Sequence, residues 1–130
     1  MLKITYTEMG LHIEPLPKSI EEWLTVRTLL SLRAGQQLVI EPCTASLLLR
    51  ADLPNGRRDL EAAAIAETTG AIALSIGDVD HIEVTLRGTW VSSHPNQGEG
   101  VFVTTLGDRT ELLLVALWSQ SQGHTSPLRH

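Results

Sequence analysis

The sequence predicts an α+β fold in which a mostly antiparallel sheet packs with two helices. Several segments alternate apolar and polar residues, as half-buried strands do, and two others carry helix-start signals and helical apolar spacing. Short turns rich in Gly, Asn, Asp and Pro separate them. The 130 residues suit one domain. We expect a single domain over residues 1–118 and a disordered C-terminal tail over 119–130.

The first elements are a hairpin and a helix. Residues 2–14 alternate on both sides of a turn at Met9-Gly10, which predicts a β-hairpin. Ser19-Ile20-Glu21-Glu22 is a capping box, and Gly35 suits the position after a helix end, so a helix is predicted over 19–33. Six of its residues form an apolar stripe: Ile20, Trp23, Leu24, Val26, Leu29 and Leu30.

The middle of the chain predicts strand and then helix. A short strand is predicted over 37–41, centred on Leu38-Val39-Ile40, and Pro42 is expected to close it. Residues 43–53 alternate as a strand would, although their Ala and Leu also favour helix, so strand is preferred with helix left open. Residues 59–69 are Ala-rich and end at Gly70, which predicts the second helix.

The C-terminal half is predicted to be strands. Residues 71–76, 82–86 and 101–106 have strand patterns, and Gly107-Asp108 is interpreted as a two-residue hairpin turn. The turn would return the chain as a strand over 109–118, which could instead be a helix. Strand is preferred because four residues then share one face: Leu112, Leu114, Ala116 and Trp118.

Composition excludes several partners and reactions. The formal charge of −5 argues against duplex DNA or an anionic membrane as main partner, and 4% aromatic residues argue against base stacking. No signal-like N-terminus occurs, and Cys43 is the sole cysteine, so a cytoplasmic protein with an inert buried thiol is expected. No phosphate loop, dinucleotide fingerprint or nucleophile elbow is present, so we expect no enzyme.

One polar group could bind metal. Asp78, Asp80, His81 and Glu83 are close in sequence, and His81 and Glu83 would share a strand face. A metal-dependent enzyme is therefore one alternative. The other interpretation is a turn followed by a solvated strand face, on which Arg87 accompanies Glu83.

Residues 71–118 resemble the repeated half of bacterial haem-utilisation carrier proteins. The features that carry the resemblance are a short apolar strand, an alternating strand ending in Gly88-Thr89-Trp90, a polar loop, a further strand, and an acidic Leu-rich segment ending in Trp118. The whole chain also resembles a small uncharacterised family of cyanobacterial proteins. The first resemblance implies a haem-utilisation-carrier-like fold and a homodimer. It also implies tetrapyrrole binding, with haem-contacting residues drawn from His94, His81, Arg87 and Arg109.

Two functions follow as expectations. The leading one is a non-enzymatic cytoplasmic binding protein or carrier whose ligand is haem or another tetrapyrrole. The alternative is a dimeric protein–protein interaction module without a small ligand. Its interface would be the Leu-rich segment at 112–117, where adjacent Leu residues would point to both faces of a strand, or Trp118.

Overall fold

The chain has an α+β fold in a computed structural model that describes residues 1–53, 55–76, 79–93 and 99–125. Within these residues a six-stranded, mostly antiparallel sheet is accompanied by three helices. The elements are β1 (Leu2–Thr7), β2 (Gly10–Pro15), α1 (Ile20–Arg33), β3 (Val39–Arg50), α2 (Gly56–Ala66), β4 (Ile72–Ile76), β5 (His81–Ser92), β6 (Gly100–Thr104) and α3 (Asp108–Thr125). The strand order is β2-β1-β6-β5-β3, and β4 pairs with β5 off this path.

The predicted hairpin and first helix are confirmed. β1 and β2 pair antiparallel, and the Ser19 hydroxyl accepts a 3.1 Å hydrogen bond from the Glu22 amide at the start of α1. At the other end Gly35 has φ +69°, and the Gln36 amide donates to the Ser31 carbonyl at 2.9 Å. This is the Schellman arrangement, so both ends of α1 are fixed by local sequence.

The ambiguous middle segment is a strand. β3 runs without interruption through Pro42, which was expected to close it. Because β3 ends the strand order, it lies at a sheet edge, where the missing amide of a proline is tolerated. α2 begins earlier than the predicted 59, because Asn55 adopts a left-handed conformation and its carbonyl already accepts from the Asp59 amide at 2.9 Å.

The strand predicted over 109–118 is wrong, because these residues lie in α3. Gly107 makes no hairpin turn; its carbonyl accepts the first helical bond, from the Glu111 amide at 3.0 Å. After the adjacent Thr110 and Glu111, the buried residues recur every three or four positions, at Leu114, Leu117 and Ser121. The predicted strand face breaks up, since Leu112 is 60% exposed. α3 also includes residues 119–125 of the expected tail, while 126–130 lie outside the described residues.

The chain divides into two compact units. The first comprises residues 1–44 and 87–105, and the second comprises 45–86 and 106–130, so β3 and β5 each contribute to both. One cluster of buried apolar side chains in the first unit comprises Met1, Trp23, Val91, Val101 and Val103. The fully buried large side chains of the second are Leu47, Leu49, Leu60, Val84, Leu86 and Leu114. The expected single domain stays a prediction.

Candidate functional site

Of the residues expected to contact a tetrapyrrole, two lie at different positions on β5 and one lies on α3. His81 is the half-buried first residue of β5, Arg87 is exposed further along β5, and Arg109 is exposed in the first turn of α3. His94 lies outside the described residues. The two cavities described below are lined by other residues. The Leu-rich segment that contributed to the haem-carrier resemblance is a helix rather than a strand.

Of the predicted metal-binding group, the three described residues Asp80, His81 and Glu83 do not form a cluster of metal ligands. Asp78 lies outside the described residues. The Asp80 backbone carbonyl accepts from the Ala51 amide at 2.8 Å, and the Glu83 carboxylate accepts from the Ser75 hydroxyl at 3.2 Å. Over 1–53, 55–76, 79–93 and 99–125, no three His, Cys, Asp or Glu side chains are grouped as metal ligands.

Cys43 lies near an aromatic pair. It is half-buried rather than buried, and its thiol donates to the Thr44 carbonyl at 3.2 Å. The Tyr6 ring contacts the Trp90 ring edge-to-face, with centroids 5.5 Å apart. Burial, and secondarily the nearby Cys43, raise the pKa of Tyr6, which keeps its phenol neutral.

The feature that the sequence interpretation missed is the outward side of α1. Among the α1 residues only Trp23 is buried, and the Arg27 guanidinium lies 5.3 Å from the centre of its ring. Ile20 and Leu24 pack against the core. The other aliphatic residues are exposed: Val26 by 51%, Leu29 by 56%, Leu30 by 55% and Leu32 by 69%.

These exposed residues form one continuous side of the helix. Glu22, Val26, Leu29 and Arg33 follow one another at spacings of four, three and four residues, which places them in line along α1. At 100° per residue, Leu30 and Leu32 flank this line on its two sides. We call these six residues the α1 outer face. It is acidic at one end, apolar in the middle and basic at the other end.

An open groove continues the apolar surface. It encloses about 450 Å³ and is lined by Thr28, Ser31, Leu32, Gln36, Gln37, Leu38, Val39 and Ile40. Leu32 therefore belongs to both the groove and the α1 outer face, and Ile40 is 46% exposed. In the second unit, a smaller cavity of about 250 Å³ is lined by Arg57, Glu61, Leu74, Ser75 and Ile82.

A sequence signal for the outer face did exist. The apolar residues between Ile20 and Leu32 extend over more than half of the helix circumference, which is wider than one core-facing stripe. Such a helix presents part of its apolar surface away from the core. The stripe does not face the core as a whole, because Val26, Leu29 and Leu30 are more than half exposed.

Comparison with known proteins places the chain in a family but gives no activity. In the part of the chain that the structure describes, no helix is long and apolar enough to cross a membrane. No curated protein and no solved structure matches the chain. The family model described as Alr0857-like matches residues 1–122, which is nearly the whole length. The chain therefore belongs to the Alr0857-like family.

Proposed function

We propose that this protein is a non-enzymatic association module that binds a second copy of itself through the α1 outer face. The observation that carries the proposal is the group of four aliphatic side chains, each more than half exposed, on one side of a single helix. Contiguous exposed apolar surface marks interaction sites in water-soluble proteins. Among the described residues, Ile40 lines the adjoining groove, and the other large exposed apolar residues lie singly on other segments: Met9, Leu48, Ile65, Val79 and Leu112.

A second copy is the partner that this face fits best. Its two ends carry opposite charges, so the face is complementary to itself when one copy is turned around. A two-fold symmetric dimer uses the same patch on both subunits, and it is the commonest form of oligomer. The expected interface at 112–117 is not supported in its original form, because Leu114 and Leu117 are buried within the second unit.

The size of the face predicts weak association. Full burial of a Val or Leu side chain contributes about 1.5–3 kcal/mol, and roughly half of each side chain is already covered. Four such residues from each of two copies therefore contribute about 6–12 kcal/mol, against an association cost of about 4 kcal/mol or more. The dissociation constant should therefore lie between the micromolar and the millimolar range, and the dimer should dissociate on dilution.

Sedimentation equilibrium tests this proposal. Between about 10 µM and about 1 mM, the average mass of the wild type should rise from 14.2 kDa towards twice that value. Leu29→Glu should remain monomeric, because it places a charge in the middle of the apolar face. Leu112→Glu is the matched control and should associate like the wild type, since Leu112 is 60% exposed on α3. A wild type that stays monomeric, or a Leu29→Glu variant that still dimerises, would overturn the proposal.

Tetrapyrrole binding stays a prediction of the sequence resemblance. Its test is a titration of the purified protein with haemin. A shifted Soret band that is lost in His81→Ala would favour the carrier function, with His81 as an iron ligand. An unshifted band in the wild type would exclude this ligand.

A further inference from the structure

We infer that two copies pair through antiparallel α1 helices, with Glu22 of each copy against Arg33 of the other. The inference rests on the proposed function, since it specifies the partner geometry at the same face. It begins from the two charges at the ends of the α1 outer face. Both side chains are exposed, and neither forms an ion pair within the described residues.

The spacings of four, three and four residues along the α1 outer face are the same in both directions, so two antiparallel copies can pair residue by residue. Under two-fold symmetry, pairing Glu22 with Arg33 of the second copy also pairs Val26 with Leu29 of the second copy. Both pairs are centred on the same point, between residues 27 and 28, so one register satisfies the charges and the apolar residues together. Spacings of four, three and four residues are those of helices that pack side by side.

Charge distinguishes the two orientations. A parallel pair would place Glu22 beside Glu22 and Arg33 beside Arg33, and like charges at close range are unfavourable. The antiparallel pair replaces both repulsions with attractions. It also sets the positive N-terminal end of each helix dipole beside the negative C-terminal end of the other.

Cysteine cross-linking tests the orientation directly. Glu22→Cys and Arg33→Cys are prepared separately, each with Cys43→Ser to remove the native thiol, and are then mixed under a mild oxidant. Residues 22 and 33 of one helix are about 16 Å apart along the axis, whereas a disulfide needs Cα atoms within about 7 Å. Antiparallel pairing therefore predicts a disulfide-linked dimer in the mixture and little in either variant alone.

Charge reversal supplies a second readout. At low salt, Glu22→Arg and Arg33→Glu should each weaken dimerisation by about tenfold, and the double variant should return to within about threefold of wild type. Glu8→Arg, an equal charge change at the exposed β1–β2 turn, is the control and should have little effect. Circular dichroism of each variant verifies that α1 is still formed.

The outcomes separate the inference from the proposed function. If the wild type dimerises through Leu29 but Glu22→Cys cross-links with itself, the helices are parallel, and only this inference is overturned. The inference alone is also overturned if the Glu22→Cys and Arg33→Cys variants dimerise with each other but form no disulfide when they are mixed. If the wild type does not dimerise at all, both the function and the orientation are overturned.

Discussion

Gly88 lies in β5 where any side chain would enter occupied space. A Cβ atom there would overlap with the Val103 carbonyl oxygen, and it would lie 2.7 Å from Cζ of Phe102. We expect Gly88→Ala to lower the free energy of unfolding by about 1–3 kcal/mol, because the neighbouring strand and the buried ring must both move. Urea unfolding measures the change.

The matched control for this substitution is Gly56→Ala. A Cβ at Gly56 would lie 3.3 Å from Cδ2 of Leu117, the end of a flexible side chain. The free energy of unfolding should therefore stay within about 1 kcal/mol of the wild-type value. Equal losses in the two variants would contradict the close approach of β5 and β6 at Gly88.

Tyr6 makes the folding stability of the protein depend on pH in the alkaline range. Burial, and then Cys43, raise the pKa of its phenol in the folded chain above the ordinary value of 10.0. The unfolded chain therefore releases this proton first. The stability due to the neutral phenol is complete below pH 10 and is lost as pH rises towards the folded pKa.

The corresponding prediction compares Tyr6→Phe with the wild type from about pH 8 to about pH 11. Above about pH 10, the urea midpoint of the wild type should fall more steeply with pH than that of the Tyr6→Phe variant, because Phe cannot ionise. The same comparison in a Cys43→Ser background tests the smaller contribution that Cys43 makes to the raised pKa of Tyr6. Parallel curves for the wild type and the Tyr6→Phe variant would contradict the assigned cause.

At the scale of elements, the ends of α1 could be predicted because their signals are local. The Ser19 cap and Gly35 act within a few residues of the chain, and the structure confirms both. α3 could not be assigned in this way. Alternation across 112, 114, 116 and 118 fits a strand, but a run of Leu and Ala also satisfies helical spacing, and only the packing partners decide.

Two leucines of α3 distinguish helix from strand in solution. In a strand, Leu112 and Leu114 would share one face, and replacing either with Ala would lower the free energy of unfolding by a similar amount. In α3, Leu114 is fully buried and Leu112 is 60% exposed. We therefore expect Leu114→Ala to cost about 2–5 kcal/mol of unfolding free energy and Leu112→Ala about 0.5 kcal/mol or less, measured by urea unfolding. Similar costs would favour the strand.

At the scale of the whole molecule, the fold class could be predicted but the candidate site could not. Alternating strands and capped helices indicate α+β whatever their arrangement, and the sheet confirms this. The location of the candidate site depends on which side of α1 packs against the core. The sequence shows that its apolar stripe is too wide, but only the packing of Trp23 shows that Val26, Leu29 and Leu30 are on the uncovered side.

Association through that side makes stability depend on concentration. Dimerisation stabilises the folded chain by mass action, because only folded copies present a formed α1. Above the dissociation constant, each tenfold increase in concentration adds about 1.4 kcal/mol per dimer, or about 0.7 kcal/mol per chain. For a chain of this size, that corresponds to a rise of about 2–3 °C in the melting temperature.

The measurement is a calorimetric melt at concentrations from about 20 µM to about 1 mM. The wild type and Leu112→Glu should melt at higher temperature as concentration rises, whereas Leu29→Glu should melt at one temperature throughout. If the melting temperature depends on concentration in the wild type and in Leu112→Glu but not in Leu29→Glu, the stabilisation is assigned to the α1 outer face. Covering four half-exposed aliphatic residues on each copy must add to the stability of the folded state. A wild-type melting temperature that is independent of concentration up to about 1 mM would therefore mean that this face stays uncovered in the isolated protein.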